Sequence, residues 1–119
     1  MEVRTVYTDS ILYSIKKLLG IDSEYGVFDQ DIVMHINSVF FVLQQLGVGP
    51  ADGFKITGPD ETWADYMPES PNIESVKSYM YLKVRLMFDP PLNSAVIESI
   101  NRQIAELEWR LNVQVDPAQ

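Results

Sequence analysis

The run IESVKSYMYLKVRLMF, residues 73–88, is apolar on nearly every side of a helical wheel. Ile73, Val76, Met80, Val84 and Met87 fall on one face at i, i+3 and i+4 spacing. Tyr79, Leu82 and Leu86 occupy the opposite face, leaving water only a strip of Glu74, Ser78 and Arg85, with Lys77 and Lys83 at its flanks. A helix of this kind is either central in its own domain or covered by another chain, because no single interface buries both faces. The local pattern leaves both alternatives open.

Downstream, Asp89-Pro90-Pro91 ends the helix, since proline removes a backbone donor and restricts the residue before it. Asn93 or Ser94 then caps a last helix whose stripe is Val96, Ile97, Ile100, Ile104, Leu107 and Leu111. So tight a link favours an antiparallel hairpin. Arg102, Glu106 and Trp109 lie off that stripe. Residues 112–119 alternate polar and apolar at strand spacing through Val113 and Val115 before Pro117, which reads as a flexible tail able to add to a sheet edge.

Upstream, residues 47–72 carry Gly47, Gly49, Pro50, Gly53, Gly58 and Pro59, with Phe54–Thr57 long enough for a short strand. Pro59 followed by Asp60 and Glu61 marks the start of a short helix bearing Trp63 and Tyr66. A connection this long reads as a projecting loop or short hairpin arm, or as a surface excursion pinned back by Trp63. Before it, Asp29 caps a helix to Leu46 with the stripe Ile32, Ile36, Val39, Phe40, Leu43 and Leu46, and Phe28 is placed as a hydrophobic staple. Met34 and Phe41 lie on its far side. Asp9 or Ser10 caps a helix with Ile11, Leu12, Ile15, Leu18 and Leu19 as its stripe, Lys16 and Lys17 complementing the dipole and Gly20 closing it. Residues 1–8 read as an arm. The fold class is therefore all-α, a small helical bundle with long helices near 10–19, 30–46, 73–88 and 94–111.

The length, 119 residues, suits one domain over 1–119 with a core that needs no metal or disulfide. No apolar run is long enough for a transmembrane helix, the N-terminus lacks a signal-peptide core, and the absence of cysteine fits synthesis in the cytosol. Seventeen acidic against nine basic side chains give a net charge of −8. That argues against a protein that grips nucleic acid by its phosphates, though not against one that surrounds DNA without holding it.

Candidate chemistry is sparse. His35, the one histidine, flanks a core stripe and reads as structural; Asp29 with Asp31, and Asp60 with Glu61, sit where helix N-termini stabilise carboxylates. No EF-hand, zinc spacing, P-loop or GxGxxG occurs, and no nucleophile–base pair can be assembled, so no catalytic residue, metal or cofactor is assigned and the chain reads as a non-enzyme. What stands out is surplus apolar surface: Tyr79, Leu82 and Leu86; Met34 and Phe41; and Trp109 beside Arg102. Such faces either bury one another or mark protein interfaces.

At YMYLKVRLMFDPP (79–91) and AELEWRLNVQ (105–114), the chain resembles the small head–tail connector (adaptor, or head-completion) proteins of tailed bacteriophages and of prophages of Gram-positive bacteria. IKKLLGID (15–22), DIVMHINSVFFVLQQLGVGP (31–50) and TWADY (62–66) fit the same pattern, so the resemblance spans nearly the whole chain through the order and spacing of packing residues. It implies a mostly helical subunit of a ring of about twelve copies with cyclic symmetry, docked under the portal protein and offering its far side to the next connector or tail component. DNA would pass through without sequence-specific binding and no membrane would be involved. The protein would be found in the host cytoplasm during assembly and then at the head–tail junction of the virion.

On that view Met34, Phe41, Tyr79, Leu82 and Leu86 are candidates for the contact between subunits. Arg102, Trp109, Val113 and Val115 are candidates for the portal contact, and Asp52, Asp60, Glu61, Asp65 and Glu69 for an acidic channel lining. The alternative from a different class is a soluble helical adaptor or regulator that binds a single protein partner.

Overall fold

The computed structural model describes residues 9–68 and 70–115, with the arm at 1–8 and the end of the tail outside them. Five helices follow one another among the described residues: α1 (Ile11–Leu19), α2 (Asp29–Gln45), α3 (Trp63–Tyr66), α4 (Ile73–Phe88) and α5 (Ser94–Val115). α4 packs against α1, α2 and α5 together. The helix with two apolar faces is thus the centre of its own domain. Val76, Tyr79, Met80 and Val84 are buried, and Leu82 and Leu86 are half-buried against the same core.

The helix ends follow local chemistry. The Ser10 hydroxyl accepts from the Tyr13 N–H and donates to the Pro59 carbonyl at 2.7 Å, so one side chain caps α1 and ties it to a segment 49 residues away. Gly20 closes α1 at φ 84°, a conformation costly for any residue with a Cβ, and the Ile21 N–H reaches back to the Lys16 carbonyl. Asn93 caps α5 by accepting from the N–H groups of Ala95 and Val96. The hairpin of α4 and α5 is antiparallel, as the Pro-Pro link requires, with the Tyr79 hydroxyl 2.7 Å from a Glu108 carboxylate oxygen.

The structure departs from the sequence reading in four places. First, residues 47–72 form no strand among the described residues, and of the two readings of the segment it is the one pinned back by Trp63, not the projecting arm, that the structure shows. Val48, Ile56, Trp63 and Tyr66 are buried there. Asn37 on α2 takes the place of a strand neighbour: its amide donates to the Ile56 carbonyl at 2.9 Å and accepts from the Ile56 N–H at 2.8 Å. Phe40 gathers the aromatics around it, with ring centroids 5.1 Å from Phe54, 4.6 Å from Tyr66 and 6.4 Å from Trp63. The extended contact that remains is an isolated antiparallel bridge between Ser10 and Thr62.

Second, α3 starts after Thr62, not at Pro59, because Thr62 and Asp65 form a reciprocal capping box that satisfies two free donors. Third, Asp29 is the first residue of α2 rather than its cap; Phe28 holds the cap position, and the Asp29 carboxylate is drawn to Lys16. Fourth, α5 runs through Val115, past the expected end at Leu111. Leu111 is buried and the Asn112 amide donates to the Leu46 carbonyl at 3.2 Å, so the last turn has tertiary support that an alternating pattern read alone does not show.

Candidate assembly surfaces

The candidate subunit-contact residues divide sharply. Met34 and Phe41 stand on the outer face of α2, 65 % and 61 % exposed and two turns apart. Tyr79 does not belong with them. It is completely buried, packed between α4 and α5 with its hydroxyl on Glu108, and burial pushes its phenol well above the ordinary range, reinforced by the hydrogen bond to the Glu108 carboxylate and by its charge. Leu82 and Leu86 sit between these extremes, half-buried on the core with one edge open to solvent.

The outer face of α5 carries the second patch. Trp109 is 68 % exposed, and Val113 stands exposed one turn beyond it. Arg102 lies two turns earlier on the same face and is also exposed. Between them Glu106 pairs with Arg110 at 2.7 Å, an exposed i, i+4 pair that orders the face but contributes little to stability. The helical register is what brings Arg102, Trp109 and Val113 onto one stripe; the Val115 side chain lies outside the described residues.

The five acids proposed for a channel lining are not equivalent. Asp52 and Asp60 are exposed and form no hydrogen bond within the described chain. Asp65 is exposed but serves the α3 capping box through the Thr62 N–H. Glu61 faces inward to its own turn, accepting from the Thr57 N–H at 3.0 Å and hydroxyl at 2.8 Å. Burial alone would raise its carboxyl, but the bonds from Thr57 and neighbouring backbone hold it below the ordinary carboxylate range. Glu69 lies outside the described residues.

One residue has a further role that the sequence reading did not assign. Lys16, read only as complementing the helix dipole, is also completely buried. Its ammonium donates to the carbonyls of Ser23 and Tyr25 at 3.0 and 2.9 Å and lies 2.7 Å from the Asp29 carboxylate. Position 16 is four residues after Leu12 and three before Leu19, on the apolar stripe itself; that spacing was the available signal. Leu18, counted in the stripe, is instead exposed.

His35 packs edge-on to Phe88, with centroids 6.4 Å apart. Among the described residues no group of three His, Asp or Glu side chains lies close enough to hold a metal ion, and no helix is long and apolar enough to cross a membrane. What these surfaces offer is burial. Each large apolar side chain covered by a partner contributes roughly 1.5–3 kcal/mol before association costs.

The family model for the phage connector protein matches residues 11–118, from the first turn of α1 to beyond the last turn of α5. No curated protein and no solved structure matches the chain. With a family match over nearly its whole length and an all-helical fold whose central helix is α4, the chain belongs to the phage connector protein family.

Proposed function

We propose that this phage connector-family protein is the repeating subunit of a ring at the head–tail junction, seated beneath the portal and extending the path that DNA follows. The observation that carries the reading is apolar surface left over once the core is complete. Met34 and Phe41 on α2, and Trp109 and Val113 on α5, are large side chains that the fold neither needs nor covers. The α2 patch can be covered by a neighbouring copy through a heterologous contact, which closes into a ring, here of about twelve copies, and the α5 patch is then left for a further component.

In this reading Met34 and Phe41, with the open edges of Leu82 and Leu86, meet the adjacent subunit, while Arg102, Trp109 and Val113 with the end of α5 meet the portal. Asp52 and Asp60 face the channel, where acid lets DNA slide because no counterions are released by a bound phosphate. The next connector or tail component docks on the far side. The protein performs no chemistry; it assembles in the host cytoplasm and ends in the virion.

The test is co-purification with the portal encoded by the same genome, followed by electron microscopy of the complex. A ring of connector copies stacked on the portal is the expected result. Stoichiometric binding of one copy to one partner, without ring density, would instead make the chain a simple adaptor.

A further inference from the structure

Of the eleven large apolar side chains that stand exposed among the described residues, six come from two short stretches: Tyr25, Val27 and Phe28 before α2, and Met87, Leu92 and Val96 around the α4–α5 turn. The fold brings these stretches to one pole of the bundle. The Phe28 ring meets Phe88 at 5.3 Å, edge to face, and Tyr25 meets Phe28 at 5.9 Å, so the start of α2 sits against the end of α4. The turn to α5 leaves from that point, with Leu92 wholly in solvent. Lys16 holds the loop before α2 in place from beneath, through the Ser23 and Tyr25 carbonyls and Asp29. The apolar groups are therefore presented by a strapped loop and a proline-stiffened turn.

The exposed charge at this pole is predominantly acidic. Residues 20–54 and 86–101 contain no lysine or arginine. Asp22, Glu24, Asp31, Asp89 and Glu98 are exposed there; of the cations nearest them, Lys16 is buried and paired with Asp29, Arg85 is half-buried and turned to the Tyr81 hydroxyl, and Lys17 stands at the edge, on the last turn of α1. From this pattern we infer that the pole is a docking surface for a different protein, one that presents apolar side chains bordered by lysine and arginine. A second copy of this chain is a poor occupant, since each copy has a net charge of −8 and, among the described residues, its exposed cation Arg110 is already paired with Glu106 while Lys17, Lys55 and Arg102 are far apart along the chain. DNA is repelled by the same acids.

Leu92 and Val96 lie at the opposite end of α5 from Trp109 and Val113. Thirteen residues separate Val96 from Trp109, about 20 Å of helix at 1.5 Å per residue. The chain so carries two apolar docking surfaces set apart by a rigid helix, one acid-rimmed and one beside an arginine. The identity of the two partners, portal and tail-side component, rests on the connector reading; the chemistry of the pole does not.

The experiment measures binding of the full chain to the purified portal and to the purified tail-side component encoded by the same genome. The key variant is Val27→Ser with Leu92→Ser, both at positions too exposed to affect folding. One of the two components should lose about tenfold or more in affinity, as when apolar anchors are truncated, and the same component should bind the wild type more weakly as salt rises. Lys16→Met should weaken that component too, by releasing the loop, whereas Trp109→Ser should strike the other. Equal binding of both components by the wild type and the double variant would overturn the inference. So would wild-type self-association, seen by sedimentation, that the double variant abolishes. A wild-type protein that binds neither component defeats the connector reading and this inference together, a result distinct from the first.

Discussion

At the scale of single residues, the buried cation and the buried phenols set the predictions. Lys16→Met keeps the apolar stem but removes the charge that Asp29 and two carbonyls face. Breaking a buried pair this way costs about 3–5 kcal/mol when both partners are enclosed; with a third of the Asp29 side chain exposed, about 2–3 kcal/mol is expected, read from urea unfolding. The phenols give a pH signature. Burial raises both Tyr66 and Tyr79 above the ordinary tyrosine value near 10, so the unfolded chain loses these protons first. The stability they contribute is complete below about pH 10 and falls as pH rises beyond it, by up to about 1.4 kcal/mol per unit for each tyrosine. Unfolding midpoints measured from pH 8 to 11 should therefore decline above 10, and Tyr79→Phe should make the decline shallower. An unchanged slope in that variant would show that the Tyr79 phenol titrates alike in the folded and unfolded chain, so that the fold does not raise it.

At the scale of elements, the connection from α2 to α4 behaves as a packed unit. Gly49 has φ +87°, and a Cβ there would lie 2.6 Å from the Tyr66 ring, itself buried under Phe40. Gly49→Ala should cost about 2 kcal/mol or more, from left-handed strain plus overpacking. Gly58 is the control. A Cβ at that position meets nothing within 4 Å and its φ is not in the left-handed region, so Gly58→Ala should leave the thermal midpoint nearly unchanged. Equal effects of the two substitutions would mean that the connection is not held against the core.

At the scale of the whole molecule, stability and assembly are carried by different side chains. Phe41→Asp places a charge on the open face of α2, where nothing from the fold is displaced. It should keep helix content and thermal midpoint within about 0.5 kcal/mol of wild type, as surface substitutions do, while preventing subunits from joining under the portal. Circular dichroism and electron microscopy of the portal complex separate the two effects. A variant that unfolds would place Phe41 among the core residues instead.

The sequence alone determined where the helices run and much of how they end. Residues 11–19, 29–45 and 73–88 carry apolar stripes at helical spacing, and Ser10, Gly20, Asn93 and the Pro90-Pro91 link act within a few residues of the ends they set. Family membership was legible for the same reason: it resides in the order of packing residues along the chain. Tertiary structure decided which surplus apolar groups are spare. Tyr79 and Phe41 look alike as off-stripe aromatics, yet one is enclosed between α4 and α5 while the other faces solvent. The difference depends on how many neighbours each helix has, which no local period encodes. For the same cause the sequence left open whether the 47–72 connection projects or is pinned back by Trp63, and the structure shows the second. Its anchors, Asn37 to Ile56 and Trp63 to Ser14, join residues 19 and 49 positions apart and exist only after the chain has closed on itself.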